Sequence, residues 1–171
     1  MESLKTFVGA TAFAMCICTA SMANAASFIP ADQSFTTVNG ALTLKSPSSM
    51  RAPVTCNIQF VGRVSHDGST ASLTSVYIAG SNALCAMYRV SNLPWVLNPT
   101  AGAFGALSNV SFTVAGLPPI TPVTNCGPAT ISVSLFNNTD GLNLNAINQV
   151  LPGSCEVVSM RFAIPYLMIN P

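Results

Sequence analysis

The 171-residue chain is half hydrophobic, carries six basic and five acidic residues, and has a formal net charge of +1. Charge this sparse and balanced argues against nucleic acid or an anionic membrane as partner, because both demand clustered positive charge. It also leaves hydration to Ser, Thr and Asn, and such a surface resists self-association only weakly.

The first element is an export signal. Lys5 supplies a positive charge, residues 7–17 are almost wholly apolar or small, and Ala23-Asn24-Ala25 matches a small-x-small cleavage site, so Ala26 is the predicted mature start. The apolar run is shorter than the 18 or more residues that a membrane span requires, and no second run of that length follows. The expected product is a secreted protein with no transmembrane segment. Cys16 and Cys18 fall within the signal; Phe13-Ala14-Met15 lacks the small-residue context of lipid attachment. Residues 26–171 then form a single β-rich domain.

Along that domain the pattern is strand and turn. Phe35–Val38 and Ala41–Leu44 flank Asn39-Gly40, read as a hairpin turn. Lys45 to Pro53 is a Ser/Pro loop. Val54 to Phe60 alternates, with Val54, Cys56, Ile58 and Phe60 on one face. Asp67-Gly68 separates Val61–Val64 from Leu73–Ile78 as a second turn. Val110–Val114 and Ile131–Leu135 also alternate, around a proline-rich loop at Leu117–Pro122. Asp140-Gly141 is a third turn. Leu142 to Val150 reads as a short helical turn, and Val158, Met160, Phe162 and Ile164 share a strand face that Arg161 leaves. The sum is an all-β fold, an antiparallel sandwich or barrel.

Cys56, Cys85, Cys126 and Cys155 make an even count in an exported chain, which predicts two disulfides. A metal site would want C-x-x-C spacing or histidine neighbours. The only histidine is His66, so neither metal nor cofactor is expected. Three connectivities are open. Equal separations, and the hairpin that each interval contains, favour Cys56 with Cys85 and Cys126 with Cys155.

Catalytic constellations do not emerge. His66 precedes Asp67 in a predicted turn, with no nucleophile elbow elsewhere in the chain. The few carboxylates are widely spaced, and no glycine-rich phosphate loop is present. A non-enzymatic protein is expected. Trp95 reads as buried core, the commoner fate of a lone tryptophan, or as an exposed anchor. The run from Arg161 to Ile169 is apolar on both faces for part of its length: a central strand covered on both sides, or a surface for pairing with another molecule. Pro165 favours the second. The candidate interaction surface is therefore Trp95, Phe162, Ile164, Tyr166, Leu167 and Ile169, with an apolar interface or self-association as its use.

Several short motifs coincide: the opening Met1-Glu2-Ser3-Leu4-Lys5-Thr6, Phe35-Thr36-Thr37, Gly40-Ala41-Leu42-Thr43-Leu44, Thr55-Cys56-Asn57, Phe60-Val61-Gly62-Arg63-Val64, Ala83-Leu84-Cys85, Leu93-Pro94-Trp95, Asn125-Cys126-Gly127-Pro128-Ala129 and Pro152-Gly153-Ser154-Cys155. Together they resemble the PraB family, bacterial secreted proteins described as activators of alkane oxidation. The resemblance spans essentially the whole chain and rests on structural residues, with no catalytic residue to carry over. It implies an extracellular protein that aids growth on hydrocarbons by helping to disperse or contact them. The alternative is a subunit of an extracellular fibre. Usher-assembled pilins share an exported, disulfide-bonded β-fold but carry one bridge and a near-terminal aromatic strand motif, unlike this chain.

Overall fold

Alternation in β4 (Val54–Val64) holds for eleven residues without a break: every odd position is exposed and every even position buried. One such strand needs neighbours on both sides, and the computed structural model, which describes residues 26–100 and 102–170, shows how they are supplied. The predicted export signal lies outside the described residues. In chain order the other strands are β1 (Ser27–Ile29), β2 (Ser34–Thr36), β3 (Val38–Lys45), β5 (Ala71–Ala79), β6 (Tyr88–Val90), β7 (Trp95–Pro99), β8 (Phe104–Val114), β9 (Thr124–Asn138), β10 (Gly141–Leu151), β11 (Cys155–Pro165) and β12 (Met168–Asn170). Short 3-10 turns occupy Pro47–Ser49 and Ala83–Met87.

The fold is a closed barrel. From β3 each strand pairs antiparallel with the next (β4, β5, β7, β8, β9, β10, β11), and β11 returns to β3. Eight strands enclose a space just wide enough for side chains to fill. Here Phe60, Trp95, Phe112 and Phe162 fill it as one contiguous aromatic run. Phe60 lies 5.5 Å from Trp95 and 5.0 Å from Phe162, and Trp95 meets Phe112 edge-on at 5.1 Å. Such tilted contacts suit the ring quadrupoles. The Trp95 indole N–H donates to the Ser91 carbonyl at 3.1 Å. Between the sandwich and the barrel, the barrel is correct.

Three local expectations are corrected. Asn39-Gly40 is not a hairpin turn. Strands β2 and β3 both pair with β4, one after the other, and Thr37 bridges the gap: its N–H donates to the Phe60 carbonyl and its hydroxyl accepts from the Phe60 N–H, both at 2.8 Å. Asn39-Gly40 is a bulge within β3, where the register against β11 slips between Ala41 and Val38. Asn39 adopts a left-handed φ of 52°, and a Cβ at Gly40 would run into the Ile58 carbonyl oxygen. Leu142 to Val150 is not a helical turn but part of β10, which pairs along its whole length with β11. Val158 does not share the inward face. The register between β11 and β3 slips between Val157 and Ser159, so Val157 points inward before the bulge and Met160, Phe162 and Ile164 after it. The Asp67-Gly68 and Asp140-Gly141 turns do join β4 to β5 and β9 to β10.

The barrel has two unlike ends. At the closed end, β1 and β12 pair with each other and bury Phe28, Leu167 and Ile169 over the barrel mouth. At the bridged end lie both disulfides, Cys56–Cys85 and Cys126–Cys155, each with a Cα–Cα distance of 5.6 Å and a separation of 29 residues. The pairing matches the favoured connectivity. Each bridge ties the start of a strand to the segment that follows the next hairpin, and all four cysteines are buried.

Candidate functional site

The closed end accounts for most of the surface expected from sequence, and corrects it. Trp95, Phe162 and Ile164 are barrel core, with Trp95 and Ile164 fully buried. Leu167 and Ile169 are buried beneath the lid formed by β1 and β12. Only Tyr166, 88% exposed, lies on the surface. The physical reason is that the tail's pairing partner is in the same chain. β12 takes up β1 as its strand partner, and the Asn137 side chain binds its other side, donating to the Ile169 carbonyl at 2.9 Å and accepting from the Ile169 N–H at 2.8 Å. On the far side the Phe28 N–H donates to the Gly68 carbonyl at 2.7 Å.

Polar groups gather at this end. Asp32, Asp67 and Asp140 are three of the four carboxylates among the described residues, and all lie in its connections. Arg63 donates to Asp32 at 2.7 Å, and this bond and charge hold the Asp32 carboxyl below the usual range. Asp67 is lowered to about 2, chiefly by the Ser65 hydroxyl, with the Ser69 N–H and hydroxyl adding to it. His66, in that same turn, is almost fully exposed, with its Nδ1 3.9 Å from Asp32. Among the described residues no hydroxyl or thiol hydrogen-bonds to its ring.

The bridged end differs most in charge. Its four connections, residues 46–53, 80–87, 115–123 and 152–154, contain a single charged residue, Arg51. From them project Met50 (75% exposed), Leu117 (52%), Ile120 (75%) and Val123 (59%), an aliphatic crown on two loops that meet. The loops are held stiffly from below. Ser46 caps the Pro47–Ser49 turn in a reciprocal capping box with Ser49. Ser48 crosses to the other loop, its hydroxyl 2.7 Å from the Pro122 carbonyl and 2.6 Å from the Thr124 hydroxyl. Within that loop, Ile120 and Thr121 both donate N–H bonds to the Leu117 carbonyl, which places Ile120 at its apex. Ser46, Ser48 and Ser49 are buried, so the crown stands on satisfied hydroxyls rather than on apolar packing. Beneath it the Tyr88 phenol is pushed above its ordinary range by burial. The Ser49 and Ser46 hydroxyls oppose that shift, although no hydrogen bond to the Tyr88 oxygen closes.

The crown residues were not singled out from sequence. Leu117–Pro122 was legible as a loop, and the usable signal was that its prolines alternate with aliphatic residues in place of the charges that loops ordinarily carry.

Among the described residues no cluster of His, Cys, Asp or Glu could hold a metal ion, and no helix is long and apolar enough to cross a membrane. What the fold defines is a side-chain-filled, disulfide-bonded antiparallel barrel. The chain belongs to the PraA/PraB-like family of alkane oxidation protein activators, whose family model matches residues 1–168. No curated protein and no solved structure matched the chain.

Proposed function

We propose that the protein is an extracellular, non-enzymatic accessory factor for alkane oxidation, released by cleavage after Ala25, that adsorbs to the hydrocarbon–water interface through the bridged-end crown. The observation that carries this reading is the crown itself: Met50, Leu117, Ile120 and Val123 stand in solvent at the end whose connections hold no carboxylate. Full burial of a side chain of this size is worth about 1.5–3 kcal/mol. A few such residues entering an oil phase hold a small protein there, while the carboxylate-bearing closed end stays in water. The stiff loops lower the ordering cost of adsorption. A fibre subunit would need a long free strand edge, and each of the eight barrel strands has a neighbour on both sides over at least part of its length, with Ser75–Ala79 of β5 the short stretch that pairs on one side only.

The test is pendant-drop tensiometry on hexadecane with the secreted protein and with a triple variant, Leu117→Ser, Ile120→Ser and Val123→Ser. The native protein lowers the tension, and the variant, with unchanged near-ultraviolet circular dichroism, loses most of that effect. Equal activity in the two would refute the assignment. Regular filaments in electron micrographs, without any interfacial effect, would favour the fibre instead.

A further inference from the structure

A second surface lies on the barrel wall, away from the crown. The register places Arg161 of β11 between Asn145 of β10 and Ala41 of β3, with Asn57 of β4 one strand further on. All four residues stand on the outer face of the barrel. Two depressions meet at Arg161. One, of about 520 Å3, runs over the Gly40 bulge to Asn57, Gln59 and Tyr77. The other, of about 450 Å3, runs across Asn143 and Asn145 to Phe136. Their shared rim is the bulge residue Asn39.

Three features give this surface a chemistry. First, the Arg161 guanidinium has no ion-pair partner among the described residues, whose ion pairs engage Lys45, Arg63 and His66, and no Asp or Glu lines either depression. A fork of N–H donors left open in this way suits a carboxylate taken in two parallel hydrogen bonds. Second, the polar groups around it are amides, each offering both donors and acceptors, which is what a row of hydroxyls requires. Third, an exposed aromatic stands at each far side, Tyr77 at 67% and Phe136 at 50%. From β9 to β5 the wall crosses five strand spacings, roughly 24 Å at about 4.8 Å each.

The shape selects the ligand further. The depressions are open and in line, so they fit an extended chain better than an enclosed small molecule. Around Arg161, β10, β11, β3 and β4 pair with one another, so a peptide cannot add there by backbone bonding; the one-sided stretch is β5 from Ser75 to Ala79, at the far side of the wall. One cation is too few for a nucleic acid backbone.

We propose that this wall binds an acidic polysaccharide, with a uronate carboxylate on Arg161, ring hydroxyls on Asn57, Asn143 and Asn145, and sugar faces against Tyr77 and Phe136. The inference is independent of the hydrocarbon reading, because it uses no crown residue. It gives the protein a second attachment, to an extracellular matrix or a cell surface built of such a polymer.

The test is isothermal titration calorimetry of the full secreted protein with a galacturonate heptamer, with a galactose oligomer of equal length as the neutral comparison. Binding to the uronate is expected, weakened by added salt, with the neutral oligomer at least tenfold weaker. Arg161→Gln should cost at least tenfold and Phe136→Ser several-fold. Arg161→Gln should leave near-ultraviolet circular dichroism unchanged, which shows that the variant is folded, and should leave hexadecane tension unaffected, because the crown is untouched. Absence of uronate binding, equal affinity for the neutral oligomer, or full affinity in folded Arg161→Gln would each overturn the proposal.

Discussion

At the closed end the chain covers its own barrel mouth with two three-residue strands; at the bridged end it leaves the mouth to two disulfides, a buried tyrosine and short loops. The closed end buries Phe28, Leu167 and Ile169 but leaves Ile29, Phe104, Tyr166 and Met168 exposed beside its carboxylates. The bridged end buries hydroxyls (Ser46, Ser48 and Ser49) and exposes aliphatic side chains. A loop that shows its apolar residues to water must be held by something else, and here that is hydrogen bonding and covalent closure. What separates the two ends is charge and support: the closed end combines an apolar-packed lid with carboxylates, and the bridged end presents aliphatic side chains on hydrogen-bonded loops with a single charge.

Substitutions at the two ends should therefore separate stability from interfacial activity. The largest stability effect is expected at the lid. Phe28→Ala should cost about 3–5 kcal/mol in urea unfolding, with interfacial activity per folded molecule retained. A loss below 1 kcal/mol would mean that the lid is not a working part of the core. Next, replacing Cys126 and Cys155 with serine should cost roughly 3.5 kcal/mol on the loop-closure estimate, and Cys56 with Cys85 the same, since both loops close over 29 residues. Unequal costs would show that the two bridges differ in more than the loop they close.

Ser48→Ala should cost about 1–3 kcal/mol, because it strands acceptors in a buried site, and should speed amide exchange in residues 117–121. Unchanged exchange would break the claim that hydroxyls stiffen the crown. Ile120→Ser with Val123→Ser should change unfolding stability by no more than about 0.5 kcal/mol while weakening adsorption.

The smallest effect is electrostatic. The Asp67 carboxyl, held at about 2 in the folded chain against an ordinary value of 3.8, adds stability that is fully present above its unfolded value and lost as pH falls toward 2. NMR titration should place its midpoint near 2, and Ser65→Ala should raise it. An unmoved midpoint would show that Ser65 is not the dominant donor.

The sequence carried the strand content, the presence of two disulfides and two of three turns, because alternation, compartment and Asp-Gly chemistry are legible in it; the cysteine pairing was only favoured, on equal spacing, among three open connectivities. Asn39-Gly40 misled because the same left-handed preference serves a bulge and a hairpin, and only the strand opposite decides which. Val158 misled because an inserted residue flips facing without altering composition. The tail at Tyr166–Ile169 is apolar for a real reason, to be covered by a strand, but its partner β1 lies over 130 residues earlier, beyond the reach of any window of sequence. The wall around Arg161 was invisible for a related reason: Phe136 reaches it through two consecutive hairpins, and Tyr77 only through the closing pair of β11 with β3. The aliphatic crown was closest to legible, being confined to two loops already marked by their prolines.

Pairing of Ser27 with Asn170 sets the first and last described strands side by side at the closed end. Anything tethered through either of these residues therefore leaves from the pole opposite the crown. An affinity tag, a fluorophore or a solid support joined at residue 170 should thus present the aliphatic loops outward in a uniform orientation.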